Sequence, residues 1–306
     1  MNSNKTNSIL GIDIGGTNIK SAIISSDGKM TGFSISSTSD WVNSGNFIDQ
    51  LAKFINKQYK HGIIGCGIAV PGMVDYEGNR VFMVNAIPCL NDIYIRDEIQ
   101  YRFPELDIII ENDSNAAAYG EFFNVKDRIL NELLFITMGT GIGCGLILDG
   151  VVFKGGSGGA MELGLTLTDN NESLDDAIGI KGIERIAHQK KIHNNNFGID
   201  VLHSISDIIK LSNLNDKFAE EVMFQAGTIL GKSLVNVIWL FDVKNIVIGG
   251  GVAEAFSSIE SGINHIFKQF FPEDILNEIR LSKAITGNNA GLIGAALLCF
   301  SKINKK

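Results

Sequence analysis

Apolar residues alternate with polar or small ones at the start of the chain, where Leu10, Ile12 and Ile14 are separated by Gly11 and Asp13. A period of two predicts half-buried strands, here over 9–15, 18–25 and 30–37, with the turn SSDGK between the last two. The period then changes. Phe47, Leu51, Phe54 and Ile55 share one helical face in NFIDQLAKFINKQY. IIGCGIAV (63–70) reads as a buried strand that ends at Pro71-Gly72. A helix near 92–103 stops at Pro104, and LDIIIEND supplies a strand with polar residues at its carboxyl end. Strands alternating with helices predict an α/β architecture.

The pattern starts again in the second half. LLFITMGTGIGCGLIL (133–148) is a strand, a glycine-rich turn and a second strand. Setting Asp13-Ile-Gly-Gly-Thr against Thr137-Met-Gly-Thr-Gly gives a separation of 124 residues. Similar hairpins opening two halves predict two related domains, residues 1–117 (joined by a final helix, 289–303) and 118–288. Most of the second half reads as helix, including a long apolar one over 218–241 that leads to the strand NIVIGGG.

Composition narrows the function. The 306 residues carry a formal charge of −8 and no basic run beyond the KK pairs at 190–191 and 305–306, which argues against nucleic-acid binding. Cys66, Cys89, Cys144 and Cys299 form no C-x-x-C pair, so neither a disulfide framework nor a cysteine-rich metal site is expected. The first eight residues are polar, and no apolar run looks long enough to span a bilayer, so the expectation is a cytoplasmic protein without membrane contact.

Glycine turns expose backbone N–H groups to an approaching anion. Gly15-Gly16-Thr17 and Gly139-Thr140-Gly141 are neither Walker loops nor dinucleotide fingerprints, because each runs from strand to strand. One such turn is most simply a tight hairpin; two in equivalent places favour phosphate. Asp13 beside the first turn could hold Mg2+, directly or through water, or be a strand-end aspartate satisfied by backbone donors. In ENDSNAAAYGE (111–121), Asp113 reads either as a helix N-cap or as a general base for an attacking hydroxyl. Asn112 and Asn115 add groups suited to sugar hydroxyls.

GIDIGGTNIKSAII, GIAVPGMVD, ENDSNAAAYGE, ITMGTGIGCGLILDG, LFDVKNIVIGGGV and NNAGLIGAALL resemble, in order, the ROK family of sugar kinases and related repressors. The resemblance runs from about residue 9 to 300. It implies the hexokinase/actin-like ATPase superfold, with two RNase H-like domains facing a cleft that holds ATP and a hexose. By position, it makes Asp113 the catalytic base and Asn85, Asn112 and Glu162 sugar ligands. Gly15, Gly16 and Thr17 match the first phosphate loop, Thr137, Gly139, Thr140 and Gly141 the second, and Gly249, Gly250 and Gly251 the adenosine side.

The chain departs from the family pattern after residue 160. The family commonly reads Gly-Glu-Ile-Gly-His, followed by three cysteines that bind a structural zinc with that histidine. Here the stretch is Met161-Glu162-Leu163-Gly164-Leu165, and no cysteine follows before Cys299. Zinc is therefore not expected. The family glutamate that touches the anomeric hydroxyl corresponds to Asp175, with Glu172 and Asp176 as alternatives.

The resemblance implies a kinase using ATP and Mg2+ to phosphorylate a hexose or N-acetylhexosamine, with the 6-hydroxyl as acceptor and a homodimer as the assembly. The alternative is a sugar-binding regulator of the same family. Family repressors carry a helix-turn-helix domain ahead of the first loop, where this sequence has only eight residues before its first strand.

Overall fold

The computed structural model describes residues 8–59, 63–124, 130–193 and 204–305; residues 1–7, read above for a leader, lie outside them. Two five-stranded sheets carry the fold. Numbered by chain order within each sheet, both run third-second-first-fourth-fifth, so the repeat seen in the sequence is a repeat of topology.

One compact unit comprises residues up to Asn131, Gly145–Met161 and Asn288–Lys306. Its sheet contains β1 (Ser8–Ile14), β2 (Asn18–Ser25), β3 (Met30–Ser37), β4 (Gly65–Val70) and β8 (Asp107–Asn112). A small antiparallel sheet of β5 (Met73–Val74), β6 (Arg80–Phe82) and β7 (Ile93–Tyr94) leads into the helix α3 (Ile95–Arg102). Alternation on β1 sorts its side chains to two cores. Leu10, Ile12 and Ile14 join Leu51 and Ile55 of α2 (Phe47–Tyr59), while Ile9 packs with Leu292, Ala296 and Phe300 of α11 (Ala290–Ile303). The helix α1 (Thr38–Asn43) and the small sheet are additions that no periodicity announced, because their segments are only two to six residues long.

Close approach sets α11 against the sheet. A methyl group on Gly67 would collide with the backbone of Ala295, and one on Gly294 with the carbonyl of Ala116 in α4 (Asp113–Asn124). The α4–α11 pair therefore packs backbone to backbone, which fixes the amino end of α4 where Asp113 stands. The expected domain boundary after residue 117 falls inside α4, and the unit continues to Asn131.

The other unit holds Glu132–Cys144 and Glu162–Gly287. It contains β9 (Glu132–Met138), the start of β10 (Ile142–Leu148), β12 (Asn245–Gly249) and β13 (Arg280–Lys283); β11 is Val151–Val152, in the first unit. Its helices are α5 (Leu174–Ile178), α6 (Ile180–His193), α7 (Ile205–Asn213), α8 (Lys217–Phe241), α9 (Phe256–Phe270) and α10 (Glu273–Glu278). The membrane expectation needs one correction. With 25 residues and a mean hydropathy of 1.2 over its most apolar window, α8 is long and apolar enough to cross a bilayer. Its apolar face is nevertheless a core face: Val222, Met223, Leu230 and Leu234 are fully buried and the helix packs along α9.

Candidate functional site

Seven of the residues singled out in the sequence lie in the first unit: Asp13, Gly15, Gly16, Thr17, Asn85, Asn112 and Asp113. The chain brings them together at the carboxyl ends of β1, β4 and β8, the usual crevice of an open α/β sheet. The turn 15–17 joins β1 to β2, and Gly16 and Thr17 are exposed. Two bonds hold it in shape. Gly15 donates its N–H to the carbonyl of Asn18 (3.0 Å), and the buried Thr38 hydroxyl donates to the carbonyl of Gly15 (2.6 Å).

A methyl on Gly16 would lie 3.1 Å from Ala86 Cβ, so this turn abuts the loop carrying Asn85. Asn85 is exposed, and Asn91 holds its neighbour: Asn91 Oδ1 accepts from the N–H of Val84 at 2.7 Å. Gly72, with φ +86, passes under the same loop and accepts from Asn112 Nδ2 at 2.9 Å.

The corner at β8–α4 settles one alternative. The cap of α4 is Asn112, whose Oδ1 accepts from the N–H groups of Ser114 (2.9 Å) and Asn115 (3.0 Å). Asp113 is thus the first helical residue, and it is not needed as a cap. Its Oδ1 accepts from the Ser114 N–H at 2.7 Å and from the Ser114 hydroxyl at 3.3 Å. Burial, and after it the charge of Asp13, push the Asp113 carboxyl up to about 6, against the pull of the Ser114 bonds. Burial also raises Asp13, opposed by Lys20, whose Nζ lies 3.4 Å from Asp13 Oδ2.

Lys20 was missed in the sequence, although hairpin register contains it. A hairpin that sets Ile14 opposite Ile19 must set Asp13 opposite Lys20. Thr38 had no such signal, since it acts across 23 positions, and Asn91 ties Val84 within an irregular loop that has no period to read. Glu111 was also overlooked: it is buried, holds Lys154 at 2.7 Å and accepts from the N–H of Asn112 at 3.0 Å.

The remaining residues lie in the second unit: Thr137, Gly139, Thr140, Gly141, Glu162, Asp175, Gly249, Gly250 and Gly251. The turn 139–141 again spans three residues, between β9 and β10. The carbonyl of Gly139 accepts from the Ile180 N–H (2.9 Å), and Asp175 Oδ1 accepts from the Ile142 N–H (2.6 Å). A methyl on Gly141 would sit 2.8 Å from that Asp175 carboxylate, whereas one on Gly139 would meet open space. Thr137 pairs in register with Gly249. Gly250 has φ +85, and a side chain there would strike the backbone of Met138.

Glu162 lies close enough to Cys144 that its charge, added to burial, raises the thiol. The following loop is tied by hydrogen bonds within itself. Thr168 N–H donates to the Glu172 carbonyl (2.9 Å), Leu174 N–H to that of Thr166 (2.9 Å), and Arg185 pairs with Glu172 at 2.5 Å. Leu165, at the place of the family histidine, is half exposed. Among the described residues no group of three or more His, Cys, Asp or Glu side chains is placed to hold a metal ion.

Comparison with known proteins gives the family. A glucokinase of Halalkalibacterium halodurans is 26% identical, with 94% of each chain covered. A xylose repressor of Bacillus spizizenii is 28% identical over 93% of this chain and 75% of the repressor. A solved structure from Cytophaga hutchinsonii, provisionally assigned as a sugar kinase, is 29% identical with a TM-score of 0.87, covering 96% of this chain and 100% of that one. A ROK family glucokinase from Streptomyces griseus, solved with glucose and AMPPNP, shares the fold at a TM-score of 0.79 and 22% identity, covering 96% and 100%. These neighbours have the two-domain actin-like ATPase fold. The ROK family model matches residues 9–302, and the chain belongs to the ROK family.

Proposed function

We propose that the chain is a cytoplasmic, ATP-dependent sugar kinase acting on the 6-hydroxyl of a glucose-like hexose or N-acetylhexosamine. The observation that carries this reading is Asp113: a carboxylate freed from capping by Asn112, fixed by Ser114 and poised with a pKa of about 6. A group titrating just below neutrality suits a general base. Asp113 takes the proton of the sugar hydroxyl, and that oxygen forms its bond to the γ-phosphorus as the bond to the β-phosphate bridging oxygen breaks, releasing ADP. Asn85, Asn112, Glu162 and Asp175 are the proposed sugar ligands. Each glycine turn offers N–H donors to phosphate oxygens, and Gly249–Gly251 take the adenosine side.

The carboxylates of Asp13 and Asp113, beside an exposed turn, are hard oxygen donors of the kind Mg2+ accepts together with phosphates and water. Asp13 would hold the ion, directly or through water, and the ion would offset phosphate charge. Lys20 gives the same face one fixed cation. Relatives named as xylose repressors support a second reading, a sugar-binding regulator with weak or no turnover, and Leu165 and Met161 at altered positions favour it. A coupled ADP-release assay over hexoses and N-acetylhexosamines separates the two. Saturable turnover on at least one sugar is expected. Sugar binding by calorimetry with no turnover on any of them would support the regulator.

A further inference from the structure

We propose that a cavity within the first unit binds a small phosphorylated organic molecule, with a hexose 6-phosphate as the representative ligand. The cavity encloses about 630 Å³, inside the range of about 300–1,000 Å³ typical of small-molecule sites. Its lining comes entirely from the first unit: the outer side of β8, the segment 148–155, the turn 76–78, Arg96 on α3, Tyr119 on α4 and the end of α11. It uses neither glycine turn, nor Asn85, nor Asp113, so the inference does not depend on the kinase reading.

Charge points to an anion. Among the described lining residues, Arg96, Lys154, Lys302 and Lys305 oppose Glu77 and Glu111, a formal excess of two positive charges in a chain of net −8. Glu111 is committed, since it is buried and holds Lys154 at 2.7 Å. Arg96 is oriented, because its guanidinium donates to the carbonyl of Glu77. A guanidinium held in place loses less freedom when it grips an oxyanion. The end strand of the sheet closes one wall: β8 has a strand partner on one side only in its sheet, and Ile108–Glu111 are among the lining residues.

Size and wall chemistry exclude a bare ion as the natural occupant. Inorganic phosphate would fill a small part of 630 Å³ and leave Tyr119, Leu148 and Val151 uncovered. A phosphate joined to a sugar ring meets both halves of the lining. The cations take the phosphate, and the ring lies on the aromatic and aliphatic wall.

The test is calorimetry on the full chain with glucose 6-phosphate, inorganic phosphate and glucose, together with hydrogen exchange to place the ligand. Glucose 6-phosphate is expected to protect residues 148–155 and the end of α11, which glucose leaves unprotected, and to bind there at least about tenfold more tightly than inorganic phosphate. Lys305→Glu is expected to weaken it about tenfold; Val151→Trp, at a residue 54% exposed, is expected to abolish the protection by filling the space. Melting curves check that both variants fold, and Lys305 lies beyond the last turn of α11. Four results would overturn the proposal: no binding of glucose 6-phosphate, equal affinity for phosphate alone, protection confined to the segments around Asn85 and Asp113, or affinity unchanged in both variants.

Discussion

The two glycine turns have the same length and the same place in sheets of the same strand order, but they are fastened differently. The first is tied by a hydroxyl, Thr38, and leaves Asp13 near enough to Asp113 for its charge to be felt there, with Lys20 beside Asp13. The second is tied by a carboxylate: Asp175 accepts from Ile142 and crowds Gly141, which occupies one of its oxygens. A repeated hairpin keeps the cradle of N–H groups. What differs is the use made of acidic side chains: one fastens the second turn, while those at the first are left to the chemistry proposed for Asp113 and Asp13.

The largest expected effect breaks the contrast at its reactive side. Asp113→Asn removes the base but keeps the shape, and turnover should fall by roughly 10²–10⁴-fold. In the wild type the carboxyl accepts a proton only above its pKa, so turnover should rise as pH climbs through about 6 and then level off. The stability change has the opposite sign. A raised folded pKa means that the folded chain holds a proton the unfolded chain has released between the ordinary aspartate value of 3.8 and about 6. Stability from this group is therefore full below that window and lost across it. Asp113→Asn should melt above the wild type at pH 7, with the gap closing near pH 4. A folded variant with undiminished turnover would remove Asp113 from the mechanism.

At the second turn, the contrast is sharpened by comparing two substitutions of Asp175. Alanine leaves the buried Ile142 N–H without its acceptor, which costs about 1–3 kcal/mol. Asparagine keeps an acceptor oxygen and should retain most of that stability. If Asp175 only fastens the turn, Asp175→Asn leaves the sugar KM unchanged; a KM raised about tenfold with normal melting would mean that its second oxygen also reaches the sugar. Gly139→Ala is the companion probe for phosphate approach. Gly139 has open space around a new methyl, while Gly141→Ala would disturb Asp175 as well. ATP binding weakened in Gly139→Ala, with melting unchanged, is the expected result.

Much of this was legible in the chain because local pattern and fold agree. Alternation on β1, the small residues at the start of α4 and the repeat after 124 residues each follow from backbone periodicity, and the sheets have equal strand order. The short elements were not legible: α1 and the small sheet β5-β6-β7 span too few residues for a period to develop. Nor were the fastenings. Thr38 reaches Gly15 across 23 positions and Asp175 reaches Ile142 across 33, so only the folded chain shows either bond. The role of Asn112 as the cap of α4 was within reach, since Asn is a strong capping residue. Asp113, which can cap as well, was the competing reading.

The smallest expected effect concerns Met161, which ends the first unit's segment just before Glu162. Its φ of +66 places a long side chain in the left-handed region, where the family pattern has glycine. That conformation costs an L-residue about 1–2 kcal/mol, and glycine removes the cost while adding about 0.4–1 kcal/mol of unfolded-state entropy. Met161→Gly should therefore stabilise the chain by about 0.5–1 kcal/mol, read as a rise of about 1–4 °C in Tm at about 2–4 °C per kcal/mol. Met161→Ala is the control, because it shortens the side chain but keeps the strained backbone, and it should bring no gain. A lower Tm for both variants would mean that the half-buried Met161 side chain contributes more through packing than its backbone costs. The strain would then be held in place by that packing, on the residue that leads directly into the proposed sugar ligand Glu162.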